Sequence, residues 1–255
     1  MKMELIDAHA HLHAEAFRND LPAVLAAAEM AGVRAILSVS ETVADARLNL
    51  ELADRHPIIR PCAGLHPTVV DVEAAEAMVG LIREHRDRLA AIGEVGLDYW
   101  IVQEPERQEI QRQIFRRFIE LSSELELPLN VHSRSAGRHT IAFLKEHGAK
   151  QVLLHAFDGR ASAAMAGVEL GYYFSIPPSI VRSAQKQKLV RHLPLERLLL
   201  ESDAPVLGPD PAARNEPKNI RVACEAIAKI KALSVDDVAH VTTDNALRVF
   251  PPAFA

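Results

Sequence analysis

Six side chains able to hold a divalent ion stand at the ends of apolar runs. His9 and His11 lie in Asp7-Ala8-His9-Ala10-His11-Leu12, and Glu94 follows Ala91-Ile92-Gly93. His132 follows Leu129-Asn130-Val131, His155 follows Val152-Leu153-Leu154, and Asp203 closes Leu198-Leu199-Leu200-Glu201-Ser202. In extended chain an i, i+2 spacing turns His9 and His11 to one side, so two imidazoles can grip one ion. Four imidazoles with two carboxylates suit zinc, manganese, cobalt or nickel, and magnesium if water and substrate oxygens complete its shell. Two ions bridged by Glu94 would lower the pKa of a water set against phosphorus or carbon, with Asp203 ligating one ion and taking or orienting the proton. Hydrolysis is the chemistry predicted. Neither a glycine-rich nucleotide loop nor a nucleophile elbow is present, which argues against dehydrogenase, kinase and serine hydrolase readings.

Groups so far apart in sequence need a frame that gathers strand ends. Eight strand candidates run through the chain: Glu4 to Asp7, Val33 to Val39, Ile58 to Ala63, Leu89 to Glu94, Pro128 to His132, Gln151 to His155, Tyr172 to Ser175 and Leu198 to Ser202. Stretches of helical period separate them, such as Leu21 to Ala31, Thr42 to Arg55, Glu106 to Glu126 and Ser183 to His192, and a helix pair, Lys218 to Ala232 and Val235 to Val249, ends the chain. Gly32, Gly148 and Gly171 stand where helices end, and Ser234 offers a cap ahead of Asp236 and Asp237. Repeated βα units predict one domain over residues 1–255: an α/β fold, a TIM (β/α)8 barrel with a metal site at the C-terminal ends of its strands. A doubly wound sheet is the alternative. Pro205 to Pro217 reads as a long loop on the functional face.

Composition sets limits. The 255 residues are 49% hydrophobic and 25% charged with a net charge of -5, which excludes extensive disorder and gives no general affinity for a polyanion. No apolar run is long enough for a membrane span. Cys62 and Cys224, in a sequence without an apparent secretory leader, predict core thiols in a reducing, cytoplasmic setting.

The ordered blocks Asp7 to Leu12, Gly64-Leu65-His66-Pro67, Gly93-Glu94-Val95-Gly96-Leu97-Asp98-Tyr99, Asn130-Val131-His132-Ser133-Arg134, His155-Ala156-Phe157-Asp158-Gly159 and Glu201-Ser202-Asp203-Ala204-Pro205 resemble the TatD family of metal-dependent deoxyribonucleases, in the amidohydrolase superfamily. Arg214-Asn215-Glu216-Pro217 and Thr242-Thr243-Asp244-Asn245-Ala246 resemble the family's tail. The resemblance implies a TIM barrel with one ion on His9, His11, Glu94 and Asp203 and a second on Glu94, His132 and His155. It implies that His66 lies beside the metals and the scissile phosphate, that Arg134 occupies a basic position apt for phosphate, and that Glu201 is an acid near Asp203 that orients a ligand or a bound water. Three departures touch recognition: Ser135 where Asp is common, Val206-Leu207 where an aromatic is often found, and His13 where Asp is usual.

Trp100 is the first candidate for base stacking, with Tyr99, Tyr172 and Tyr173 behind it. Arg182, Lys186, Lys188 and Arg191 read either as a guide for a phosphate backbone or as a solvated helix face. The expected activity is deoxyribonuclease cleavage of phosphodiesters from DNA ends or single-stranded DNA. The alternatives are hydrolysis of a carboxylic ester or amide such as D-aminoacyl-tRNA, and a metal-stabilised binding protein without turnover. No membrane association and no obligate protein partner is expected, and the chain is read as a monomer or small homo-oligomer.

Overall fold

Eight parallel strands in the order β1 to β8 form the centre of the molecule, and each pairs with its sequence neighbour. They are β1 (Leu5–Ala10), β2 (Val33–Ser38), β3 (Ile59–Ala63), β4 (Ala91–Gly96), β5 (Leu129–His132), β6 (Val152–Leu154), β7 (Tyr173–Ile176) and β8 (Leu198–Leu200). The structure, a computed structural model, describes residues 4–254, so the expected domain's remaining residues lie outside the described range. The barrel is closed where β1 meets the segment after β8: Asp203 N–H donates to His9 O at 2.9 Å, and His11 N–H donates to Ala204 O at 2.8 Å. All eight strand candidates are present, and this closure decides for the TIM barrel over the doubly wound sheet.

Two strands run past their expected ends by two residues or more, while β8 stops two residues short, at Leu200. β1 continues through His9 to Ala10, and β4 continues past Glu94 to Gly96, because Val95 and Gly96 still pair with Val131 and His132 of β5. A polar residue after an apolar run looks like a strand end, but here it is a strand residue facing inward.

The helices α1 (Leu21–Met30), α2 (Val43–Arg55), α3 (Val72–Glu84), α4 (Pro105–Leu125), α5 (Gly137–Glu146), α6 (Ala161–Glu169), α7 (Ala184–His192), α8 (Ile220–Lys231) and α9 (Val235–Val249) clothe the strands. Gly32, Gly148 and Gly171 follow α1, α5 and α6 as read. Ser234 caps α9, its Oγ accepting from Asp237 N at 3.0 Å. The outward strand faces and the helices share one large apolar core. A second cluster fills the barrel interior with Ile6, Ala35, Leu37, Leu153 and Leu199 and reaches Val249, Phe250 and Ala253. The end of α9 therefore stoppers the bottom of the barrel. Asn245, from the tail block, donates to Leu195 O and Leu198 O at 2.9 Å each and fastens α9 to β8. With the lower end plugged, the strands' C-terminal ends are left as the open mouth.

Asn215 pins the long loop over that mouth: its Nδ2 donates to Ser202 O at 2.6 Å and Val206 O at 2.8 Å. Both cysteines are buried free thiols, as expected. Among the described residues no helix is long and apolar enough to cross a membrane.

Candidate metal centre

Glu94 lies at the middle of the convergence. Its Oε2 faces His9 Nε2 at 3.9 Å and His11 Nε2 at 3.7 Å, while its Oε1 faces His132 Nδ1 at 2.6 Å and His155 Nε2 at 2.7 Å. Asp203 Oδ1 completes the first side, 3.6 Å from His9 Nε2 and 3.4 Å from His11 Nε2. The two Nε2 atoms are themselves 3.2 Å apart, and the His9 and His155 rings stack with centroids 3.7 Å apart. All six predicted residues therefore share one site.

Glycine lets the backbones come this close. Gly96 has φ +146°, and a Cβ there would fall 2.1 Å from His132 O. A Cβ on Gly64 would fall 2.7 Å from both the N and the O of Glu94. The glycines of these two blocks thus set the position of the Glu94 strand against its neighbours.

The imidazoles are oriented from behind. Asn130 Nδ2 donates to Ala8 O at 2.9 Å, which leaves its Oδ1 to accept from His9 Nδ1 at 2.9 Å and turns the Nε2 lone pair into the site. His132 Nε2 donates to Asp98 Oδ2 at 3.0 Å, and Asp98 Oδ1 is held by Trp100 N at 2.9 Å and Ile101 N at 2.8 Å. An acceptor behind a ligating imidazole fixes its tautomer and raises its basicity. Asp98→Ala is therefore expected to weaken metal affinity by ~10- to 100-fold without unfolding the barrel, measured by competition with a chromophoric chelator; unchanged affinity would remove Asp98 from the centre.

Burial opposes charge on His9, His11, His132, Glu94 and Asp203, and the outcome differs with their neighbours. Burial, then the nearby His155, lowers His9 to about 3, so that its ring is neutral. Burial opposes charge on His11 and His132, yet Asp203 and Glu94 raise the first to about 9, and Glu94 and Asp98 raise the second to about 10. Burial likewise opposes ionisation of Glu94, but His155 and His132 hold it well below the usual carboxylate range. Asp203 is also lowered, burial being overcome by His11, His9 and His155.

The donor chemistry fits divalent ions. Imidazole and carboxylate donors fall within 4.8 Å of one another in the groups His9, His11, Asp203; His9, Glu94, His155; and His66, Glu94, His132. Several of the gaps exceed hydrogen-bond length but match donors sharing an ion. The first two groups share His9 and the last two share Glu94, and together they form a binuclear divalent-metal site.

The other predicted residues fall around it. His66 turns Nε2 to within 4.0 Å of Glu94 Oε1 while Nδ1 meets Thr68 Oγ1 at 2.7 Å, so it is both locally held and beside the centre. Glu201 is fully buried with Oε2 3.8 Å from His155 Nδ1; it accepts from Ala156 N at 2.9 Å and Ser175 Oγ at 2.5 Å, and burial pushes it up to about 7. Arg134 lines a cavity of about 450 Å³ above the site. Its guanidinium lies over the exposed Trp100 ring, 5.3 Å from the centroid, at the rim.

Two aromatic candidates are corrected. Tyr172 is buried with its hydroxyl donating to Ala149 O at 3.1 Å, and Tyr173 opens β7 at the barrel's lower end beneath Arg197. Tyr99 is partly buried against the core, its hydroxyl accepting from Arg112 at 3.1 Å.

The basic run divides. Arg182, Lys188 and Arg191 are exposed, but Lys186 is buried on the inner side of α7 and lines the cavity, its Nζ donating to Ala156 O at 3.1 Å. Burial lowers its pKa against the pull of Glu201, Asp203 and Asp158. Sequence reasoning also passed over Glu41, which follows β2 and lines the same cavity.

The family model for TatD related DNase matches residues 6–251. Human deoxyribonuclease TATDN3 is 48% identical over 259 residues, which span 97% of this chain and 94% of the relative. The uncharacterized metal-dependent hydrolase YabD of Bacillus subtilis is 35% identical over 254 residues, 96% of this chain and 98% of the relative. Among solved structures, the TatD homolog YJJV of Escherichia coli K12 aligns over 98% of this chain and 99% of its own with a TM-score of 0.90 at 26% identity. With its family blocks brought together around Glu94, the chain belongs to the TatD-related DNase family and is a metal-dependent hydrolase of the TatD type.

Proposed function

We propose that the chain hydrolyses phosphodiester bonds from DNA ends, with His9, His11, Glu94 and Asp203 holding one divalent ion and Glu94, His132 and His155 the other. The observation that carries this reading is the division of Glu94, whose two oxygens face two different sets of imidazoles. Bound ions would supply an acidic water and neutralise charge developing on phosphorus. Asp203, kept ionised beside His11, accepts the water's proton. His66, whose Nε2 lies 4.0 Å from Glu94 Oε1, would meet a substrate oxygen bound beside Glu94, and Glu201 braces the backbone at Ala156 and so the His155 turn.

Substrate recognition falls to the rim. Arg134 offers a planar fork to a phosphate and Trp100 an exposed face to a terminal base, which favours a frayed or single-stranded end over continuous duplex. Lys186 brings a compact positive charge to the cavity wall with donors to spare after its bond to Ala156. Lys186→Met is expected to reduce kcat/KM on single-stranded DNA by ~10- to 100-fold, the worth of about 1.5–3 kcal/mol for a hydrogen bond to a charged group, chiefly through KM. A kcat/KM equal to that of the wild type in steady-state assays would return Lys186 to a packing role.

The reading is tested by offering metal-loaded protein end-labelled single-stranded DNA, duplex DNA, RNA and a D-aminoacyl-tRNA. Progressive shortening of the single strand is expected. Release of the amino acid alone, with all nucleic acids intact, would transfer the chemistry from phosphorus to carbon. The two buried free thiols support a reducing compartment, the cytoplasm, as the place of action.

A further inference from the structure

One more set of donors, outside the Glu94 centre, has the spacing of ion ligands. The His13 side chain follows β1 and is only 7% exposed, yet its Nδ1 is buried without a hydrogen-bond partner. Its Nε2 points at Glu41 Oε2 from 3.9 Å and at Asp45 Oδ2 from 3.8 Å, both beyond hydrogen-bond reach. Burying the ring with Nδ1 unpartnered is costly, and the Nε2 edge, which faces two carboxylates at separations too long for a hydrogen bond, is the edge with room for a shared partner. Donor atoms of His11, His13 and Glu41 all lie within 4.8 Å of one another. Two ligands bound at ~2.0–2.2 Å to one tetrahedral or octahedral ion are separated by roughly 3–4.4 Å, which covers the His13 to Glu41 gap.

The surroundings divide the roles. Asp45 Oδ2 is already engaged, accepting from Thr42 N at 2.9 Å and Thr42 Oγ1 at 2.7 Å as part of the cap of α2. Glu41 is the free carboxylate: its side chain is 47% exposed and reaches the cavity that holds His66. His11 stands between the sets. Its Nε2 belongs to the inner group, its Nδ1 is buried and unpartnered, and its ring meets that of His13 edge to face at 5.7 Å.

We propose that His13 and Glu41, with His11 as the inner wall, form a third divalent-cation site at the barrel mouth, distinct from the pair around Glu94. One or two imidazoles with a carboxylate select zinc, manganese or cobalt over calcium. A half-exposed ligand and open coordination positions make this ion exchangeable where the inner ones are enclosed. It lies on the β1–β2 side of the mouth, across the barrel from Arg134 after β5 and Lys186 on α7, so a bound anion would meet positive charge from both sides.

The test is metal content of the full chain, stripped with chelator and dialysed against zinc alone, then against manganese alone. The expected result is three equivalents per wild-type chain and two in both His13→Ala and Glu41→Gln, with circular dichroism unchanged. His13→Gln, which keeps a polar side chain of similar reach, serves if the alanine variant fails to fold. Cobalt substitution gives a second readout, the weakest-binding ion's visible bands disappearing in either variant. Two equivalents in the wild type, or three retained in the variants, overturn the third site and leave the inner pair standing. Loss of all ions in the folded His13 and Glu41 variants also overturns it, by assigning these residues to the inner centre. A wild type that binds no ion would bring down the inner pair as well.

Discussion

Glu94→Gln should empty both halves of the metal centre at once and reduce turnover by more than ~100-fold, since groups that only orient ligands already account for 10- to 100-fold. The argument lies in the two oxygens. Oε2 addresses His9 and His11, Oε1 addresses His132 and His155, and the carboxylate is all but completely buried between them. An amide has nearly the same shape, but it carries no charge and presents N–H groups to one pair of imidazoles. The strongly raised pKa of His132 also depends on the Glu94 charge, so the variant loses the electrostatic balance as well as the donor atoms. Metal analysis and kcat on end-labelled single-stranded DNA should fall together. A variant that keeps both ions and cleaves at the wild-type rate would disprove the shared role.

Asp203→Asn is expected to cost ~10²- to 10⁴-fold in kcat, the usual contribution of a positioned general base, with little change in KM. Among the described residues, the imidazoles within 4.0 Å of the Asp203 carboxylate are His9 and His11, so the His132 and His155 side should stay occupied. This asymmetry separates the two variants: Glu94→Gln disturbs both sides and Asp203→Asn one. If the asparagine variant binds its full complement of metal and still fails to turn over, Asp203 acts chiefly on the proton. Wild-type kcat in that variant would exclude it as the base.

The frame and the ring of ligands were readable for one physical reason. In a parallel barrel the strand core is continuously apolar, so a histidine or carboxylate that ends such a run is conspicuous, and closure carries every such residue to the same rim. His9, Glu94, His155 and Asp203 were visible on those grounds. Asp98 and Asn130 were not, although both stand in family-like blocks, because a polar residue beside a ligand gives no sign of which imidazole it will hold. Lys186 was hidden differently: in a helix with Arg182, Lys188 and Arg191 it looked like one charge among several, and only the docking of α7 against the barrel turned it inward. Tyr173 failed for want of direction, since a residue that begins a strand lies at the end opposite the chemistry.

The seam between β1 and the segment after β8 has a further meaning. There the backbones of His9 and Asp203 are joined by one hydrogen bond, and their side chains face the same point from opposite ends of the chain. During synthesis, a ribosome-bound chain that has not yet released residue 203 can assemble most of the strands yet lacks a donor on one side of the centre. Completion of the metal centre therefore coincides with closure of the ring, so a truncated product would be not a slower enzyme but an unfinished one.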